Sequence, residues 1–237
     1  MAEETAERGE NAYDWQSLMF LYNAAIKEVR TKLDIMNDEF QYIHQYNPIE
    51  YIKSRIKTPN SIAKKLSRHG LENTMENMVE HINDIAGVRI VCSFTSDIYR
   101  LAEMIGKQKE FTILYIKDYM KHPKESGYRS YHMLITVPIQ TSNGINPTKV
   151  EIQIRTIAMD FWASLEHKMR YKKNIAPEQV KFLQEELSDC AIQSAALDER
   201  MQNIRNVIIQ NSEDDGETTP EETGFPLMMA LRDGRRR

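Results

Sequence analysis

Four runs rich in β-branched, aliphatic and aromatic residues, GVRIVCSF (87–94), FTILYIK (111–117), YHMLITVPI (131–139) and KVEIQIRT (149–156), constrain this chain more than any other feature. Each has the length and composition of a strand. The segment SDIYRLAEMIGKQ between the first two has helical spacing, and QTSNGINPT between the last two predicts a hairpin connection. Helices also precede and follow the set. Leu18, Leu21, Tyr22, Ala25, Val29, Leu33 and Met36 recur at three- and four-residue steps and mark one amphipathic helix over about 14–38. After it, NPIEYIKSRIK opens on an Asn-Pro start signal, and TPNSIAKKL offers Thr58 as N-cap with Pro59 in the first helical position. Two short helices separated by extended Arg55, Ile56 and Lys57 are therefore expected. Strands interleaved with helices in this way predict an α/β or α+β domain built on one sheet.

A last helical segment starts near Pro177, where Val180, Leu183, Leu187, Cys190, Ser194, Leu197, Met201, Ile204 and Ile208 keep a 4-3 spacing with one polar exception. Such a seam either docks the helix on its own sheet or joins copies of the chain. The ordered domain is expected over 14–210, with 1–13 as a flexible N-terminus and 211–237 as an acidic, flexible tail. No apolar run approaches the roughly 20 residues of a membrane-spanning helix, and the acidic N-terminus has no secretory h-region. A cytoplasmic protein is the simplest expectation. Cys92 and Cys190 form no metal-binding spacing and read as idle thiols. With 31 basic and 35 acidic residues the net charge is −4, which excludes general polyanion binding and makes any local basic cluster informative.

Alternation in KVEIQIRT puts Val150, Ile152 and Ile154 on one face and Glu151, Gln153 and Arg155 on the other. An acid, an amide and a guanidinium in a central strand line a polar cleft, unless that face simply meets water. Asp84 immediately precedes the strand at 87–94. Alone it would cap a turn, but paired with Glu151 it suits Mg²⁺, which takes oxygen ligands and shares them with substrate phosphates. Two acids, magnesium and several cations describe phosphoryl-group transfer. The cations fall in two clusters: Arg55, Lys57, Lys64, Lys65 and Arg89, and then Lys117, Lys121, Lys124 and Arg129. Two clusters suggest two phosphate-bearing substrates. In the second, Tyr128 offers a flat face on which stacking a base is worth roughly 1–3 kcal/mol, and Gly127 would let backbone approach a ligand closely. Tyr131 is assigned to the sheet.

SRIKTPNSIAKKL, INDIAGVRIVCSF, KESGYRSYH and VEIQIRT…FWASLEHKMRYK, in this order, resemble the synthetase domain of the Rel/SpoT group, specifically its single-domain small alarmone synthetases. The resemblance covers about 14–210. It implies a mixed sheet of about five strands flanked by helices, related to nucleotidyltransferases, that transfers the β,γ-pyrophosphate of ATP to the ribose 3′-hydroxyl of GDP or GTP to make (p)ppGpp. By position, Asp84 would bind Mg²⁺, and Glu151 would assist the metal and activate the hydroxyl. Arg55, Lys57, Lys65 and Arg89 would hold ATP. Tyr128 would stack on guanine while Lys117, Lys121 and Lys124 reach the acceptor phosphates. His132, Gln153, Arg155 and His167 would support the site.

The long relatives carry a hydrolase domain with a His-Asp motif, absent from this sequence, so synthesis without degradation is expected. The resemblance also implies a homo-oligomer, a tetramer in some members, with alarmone bound between subunits by cationic and amide side chains. Asp34, Asp38 and Asp160 fall in the corresponding stretches here and would repel a polyphosphate, so activation by product is not expected. A stacking tyrosine accepts any base, which leaves an adenine nucleotide or a tRNA 3′ end as alternative acceptors. The same basic and aromatic residues would also serve a non-catalytic protein that binds single-stranded RNA, although paired carboxylates argue against it.

Overall fold

Period-two alternation sorts the strand residues onto two faces, and this sorting positions the site. A computed structural model describes residues 14–43, 46–170 and 177–214. In it, β1 (Ile49–Ile56), β2 (Ala86–Cys92), β3 (Thr112–Asp118), β4 (Tyr131–Thr141) and β5 (Gly144–Thr156) form one sheet in the order β1-β2-β5-β4-β3. β2 and β5 are parallel and the other neighbours antiparallel, so the sheet is mixed, as expected. The helices are α1 (Trp15–Ile43), α2 (Pro59–Arg68), α3 (Met75–His81), α4 (Thr95–Gly106), α5 (Ile157–Arg170) and α6 (Pro177–Asp214). The segments 1–13 and 215–237, read above as flexible, lie outside the described residues, whereas 211–214, expected in the tail, continue α6.

β2, β4 and β5 send Val88, Ile90, Met133, Ile135, Val150, Ile152 and Ile154 into the core, each 1% exposed or less. Burying a branched aliphatic side chain is worth about 1.5–3 kcal/mol, and a one-residue slip would invert every position, so this face fixes the register. α1 covers it with Leu21, Tyr22, Ala25, Val29, Leu33 and Phe40, and α4 adds Ile98, Leu101 and Ile105. The same alternation turns Arg89, His132, Glu151, Gln153 and Arg155 to the opposite face. Glu151 lies beside Gly87 of β2 and Leu134 of β4, in the middle strand of the sheet.

The helix expected from NPIEYIKSRIK is instead β1, paired antiparallel along β2. Asn47 does not cap a helix; its side chain accepts the Ile49 amide at 2.9 Å and closes a turn. Ile52 and Ile56 pack on the core while Tyr51, Lys53 and Arg55 face the other way, and the hydrogen-bonding edge of β2 outweighs the start signal. The second helix, at Pro59, is where it was expected.

α6 meets the body along a face that shares Leu187 with the expected seam and then departs from it. Trp162 Nε1 donates to the Leu187 carbonyl at 2.9 Å, Thr156 Oγ1 donates to Asp198 at 2.8 Å, and Arg205 donates to Ser96 and Asp97 at 2.6 and 3.0 Å. The seam residues Leu197, Met201 and Ile204 are 46–53% exposed. Docking on the chain's own sheet therefore does not account for them.

Candidate active site

Two cavities open on the polar face of the sheet and meet at three shared residues, Asp84, Glu151 and Gln153. The first is lined on β1 and β2 by Lys53, Ser54, Arg55, Gly87 and Arg89. The second is lined by Lys65, Lys117, Tyr119, Lys124, Tyr128, His132 and Glu166. Two cation-lined cavities thus share a pair of carboxylates, with Arg55 and Arg89 of the first sequence cluster in one, and Lys117 and Lys124 of the second cluster joined by Lys65 of the first in the other.

Asp84 lies in the turn just before β2. Lys57 Nζ donates to its Oδ2 at 2.7 Å and Lys65 Nζ to its Oδ1 at 2.8 Å. Burial pushes this carboxyl up, but the two ammonium groups outweigh burial and hold it below the usual range. Glu151 behaves alike. Burial raises it, while contacts with His132 and Gln153 prevail and the net shift is downward. Gln153 Nε2 donates to Glu151 Oε2 at 2.7 Å, and His132 Nδ1 lies 3.4 Å from Oε1. Both acids are therefore anionic at neutral pH. Two ionised oxygen donors facing one cleft fit Mg²⁺, which needs only one or two carboxylates when phosphates and water complete its shell. Among the described residues no cluster of three or more His, Cys, Asp or Glu offers an all-protein alternative.

Tyr128 is fixed from several sides. Its hydroxyl lies 2.8 Å from His132 Nε2 and accepts from Arg155 Nη2 at 2.6 Å. Tyr119 and His132 meet its ring edge to face at 5.9 Å. Lys124 Nζ sits 4.9 Å from its ring centroid. The loop bearing it rests on α6. Gly127 has φ +83°, and a Cβ there would come 2.4 Å from that of Ala191. Close approach is indeed why glycine stands here, but the neighbour is a helix, where the sequence had suggested a ligand. Tyr131 packs in the sheet edge to face with Tyr99 at 5.7 Å, as assigned.

The remaining expected residues divide. Arg55 and Arg89 line the first cavity, Lys57 touches it only through Asp84, and Lys65, expected beside ATP, lines the second cavity while also holding Asp84. Lys117, Lys124, His132 and Gln153 line the second. Lys121 does not. Its Nζ is 3.9 Å from Asp118 and lies over Tyr99. His167 is exposed on α5. Asp160 is 3% exposed, so it presents no charge at a subunit surface, and only Asp34 and Asp38, exposed on α1, could repel an anion there. Burial followed from its contacts with Arg155, five residues before it, and with Tyr51 and Arg89, which lie far away in sequence. Glu166 and Tyr119 were missed. Glu166 lies one helical turn after Trp162, and that periodic step from an anchored tryptophan was the available signal.

Residues 54–176 match the family described as the region found in RelA/SpoT proteins. The chain is 46% identical over 196 residues to GTP pyrophosphokinase YwaC of Bacillus subtilis, covering 82% of this chain and 92% of that protein. It is 38% identical to GTP pyrophosphokinase YjbM of the same organism, covering 82% and 90%. Among solved structures, small alarmone synthetase 1 of B. subtilis bound to its product pppGpp superposes with a TM-score of 0.74 at 38% identity, covering 82% of this chain and 97% of that one. Small alarmone synthetase 2 of B. subtilis superposes with a TM-score of 0.73 at 45% identity, covering 82% and 99%. Sequence and architecture together place this chain in the RelA/SpoT family.

Proposed function

We propose that the chain is a GTP/GDP 3′-pyrophosphokinase that makes (p)ppGpp. The observation carrying this reading is the meeting of two cation-lined cavities at Asp84 and Glu151. The acceptor 3′-oxygen forms a bond to the β-phosphorus of ATP, the bond from that phosphorus to the α,β-bridging oxygen breaks, AMP leaves with the bridging oxygen, and Glu151 takes the hydroxyl proton. Arg55 and Arg89 line the donor cavity and suit its phosphates, while Lys117 and Lys124 suit those of the acceptor. Asp84 and Glu151 would hold Mg²⁺, which supplies neutralisation of the charge on the transferring group. Guanine is favoured over adenine because Glu166 shares the cavity with Tyr128, and a carboxylate can accept from the adjacent N1–H and N2–H₂ of guanine, whereas adenine presents an acceptor beside a single donor.

The test is incubation of the protein with Mg²⁺, γ-labelled ATP and, in turn, GMP, GDP, GTP, ADP and tRNA. Label transferred to GDP and GTP with release of AMP is the expected outcome. Transfer to ADP or tRNA in preference, or no transfer to any acceptor, would reject the assignment.

We also infer that α6 joins copies of the chain into a homo-oligomer, a tetramer by family likeness. The support is the exposed apolar stretch of Leu197, Met201 and Ile204, which are absent from the chain's hydrophobic core. Leu197→Glu with Ile204→Glu should lower the mass measured by light scattering to that of a smaller species, with helical content preserved. An unchanged mass would remove the seam from the interface.

A further inference from the structure

Between the two half-sites lies a carboxylate that the reaction as described does not use. Asp160, in the first turn of α5, accepts at Oδ1 from Arg89 Nη1 at 3.0 Å and from Arg155 Nη1 at 3.2 Å, and at Oδ2 from the Tyr51 hydroxyl at 2.9 Å. The side chains of Asp160 and Arg155 are 4% and 5% exposed. Arg89 lines the donor cavity. Arg155 continues from Asp160 to the acceptor side, where its Nη2 donates to the Tyr128 hydroxyl at 2.6 Å and to Gln153 Oε1 at 3.0 Å. One carboxylate therefore touches a guanidinium committed to each substrate.

The energetics favour orientation over stability as the role of this contact. Burial and the nearby Arg155 push the Arg89 guanidinium down, and Asp160 opposes them. Burial and the Asp160 hydrogen bond push the Tyr51 phenol up to about 12, so it remains a neutral donor. Taking such charges out of water offsets most of their attraction, which makes a buried ion pair a poor source of net stability. What it supplies is fixed geometry for two cations that would otherwise repel one another. Arg89 Nε also has no hydrogen-bond partner among the described residues, so this guanidinium, though anchored at one end, keeps a donor in reserve.

We propose that Asp160 is a positioning residue that sets Arg89 toward the donor phosphates and Arg155, with Tyr128, toward the acceptor, making one carboxylate the common reference of both half-sites. The proposal rests on the two-substrate reading above. In Asp160→Asn the shape is kept and the charge lost. The expected result is a rise in KM for both ATP and GDP on the order of tenfold, the scale of losing a buried charge partner, with a smaller change in kcat. Binding of α,β-methylene-ATP and of fluorescent mant-GDP, measured without turnover, should weaken in parallel. A folded variant in which either KM stays within about twofold of wild type, or in which kcat alone falls, overturns the proposal. Should Asp160→Asn fail to fold, the double variant with Arg155→Gln removes the stranded cation together with its partner. Its ATP KM should still rise about tenfold, since Arg89 has lost the same anchor, and a wild-type ATP KM there also overturns the proposal. Wild-type protein run alongside separates the two failures: no transfer by wild type rejects the activity, whereas active wild type beside an unaffected variant rejects the role of Asp160.

Discussion

Glu151→Gln should lower turnover by roughly 10²- to 10⁴-fold, the range for losing a positioned general base, while nucleotide binding persists. The substitution keeps the volume in the middle of β5 and changes two things. It removes the acceptor of the 3′-hydroxyl proton, and it removes an anionic oxygen from the pair that faces the metal. These losses compound because Glu151 is held below the ordinary carboxylate range by His132 and Gln153. A depressed carboxyl is a weak base, so part of its value must come from its charge and placement. The sign of that shift also fixes the pH behaviour. The anion is present above the ordinary carboxylate pKa, and both its activity and its contribution to stability are lost only as pH falls through the lower folded value. The cost to the fold should be modest. The amide can still accept one of the two present hydrogen bonds, and the other donor reaches water because Glu151 remains 17% exposed. The measurements are single-turnover kinetics with GDP and a thermal melt. Near-normal turnover in a folded variant would mean that proton removal belongs to another group, with His132, 3.4 Å away, the first to examine.

How much of this was legible in the sequence depends on the range of the interactions involved. The faces of β5 were readable because alternation is local: Ile152 and Ile154 went to the core, and Glu151 and Gln153 to the cleft, without reference to any other segment. The second cationic cluster was also readable, since Lys117 and Lys124 lie close together in the chain, whereas the first drew on residues as far apart as Arg55 and Arg89, and its Lys65 lies in the other cavity. β1 was misread because Asn47-Pro48 is a local signal, whereas the reason for extension, the edge of β2, lies more than thirty residues away in sequence. The same limit explains Asp160. Its sequence neighbours suggest an exposed helical carboxylate, but Tyr51, Arg89 and Arg155 converge on it only after β1, β2 and β5 have assembled. Gly127 shows a subtler case: the need for a residue without a side chain was visible, but the identity of the close neighbour was not. α6 was ambiguous because its apolar seam follows the docking face at Leu187 but leaves it by Leu197, where Asp198 and Arg205 turn to the body instead. The roles of individual residues came from the Rel/SpoT resemblance, carried by four motifs in order, because no local pattern distinguishes a phosphate-binding lysine from a solvated one.

Asp84→Asn should abolish magnesium-dependent turnover, by about 10²-fold or more if the metal contributes several kcal/mol to the transition state, yet it should not abolish ATP binding. In the free protein both Asp84 oxygens are occupied, by Lys57 at 2.7 Å and Lys65 at 2.8 Å. These are the two lysines assigned to ATP that do not line the donor cavity. A polyphosphate would compete with the carboxylate for these ammonium groups, and their transfer to it would leave the Asp84 oxygens able to hold Mg²⁺. Neutral asparagine can no longer hold both ammonium groups. One side-chain oxygen remains as an acceptor, and the other atom becomes a donor facing a lysine. Losing that partly buried contact should cost on the order of 1–3 kcal/mol of stability, at the lower end because Lys65 is 31% exposed. For the same reason the lysines are freer to meet a polyphosphate. In EDTA the variant should bind ATP at least as tightly as wild type, and adding Mg²⁺ should strengthen binding far less than it does in wild type. Calorimetric titration with ATP in the presence of EDTA and of Mg²⁺ reads both effects. Weaker binding than wild type in EDTA would show that Asp84 organises the lysines for ATP instead of competing for them. Undiminished turnover would show that the metal depends on Glu151 and the substrate alone.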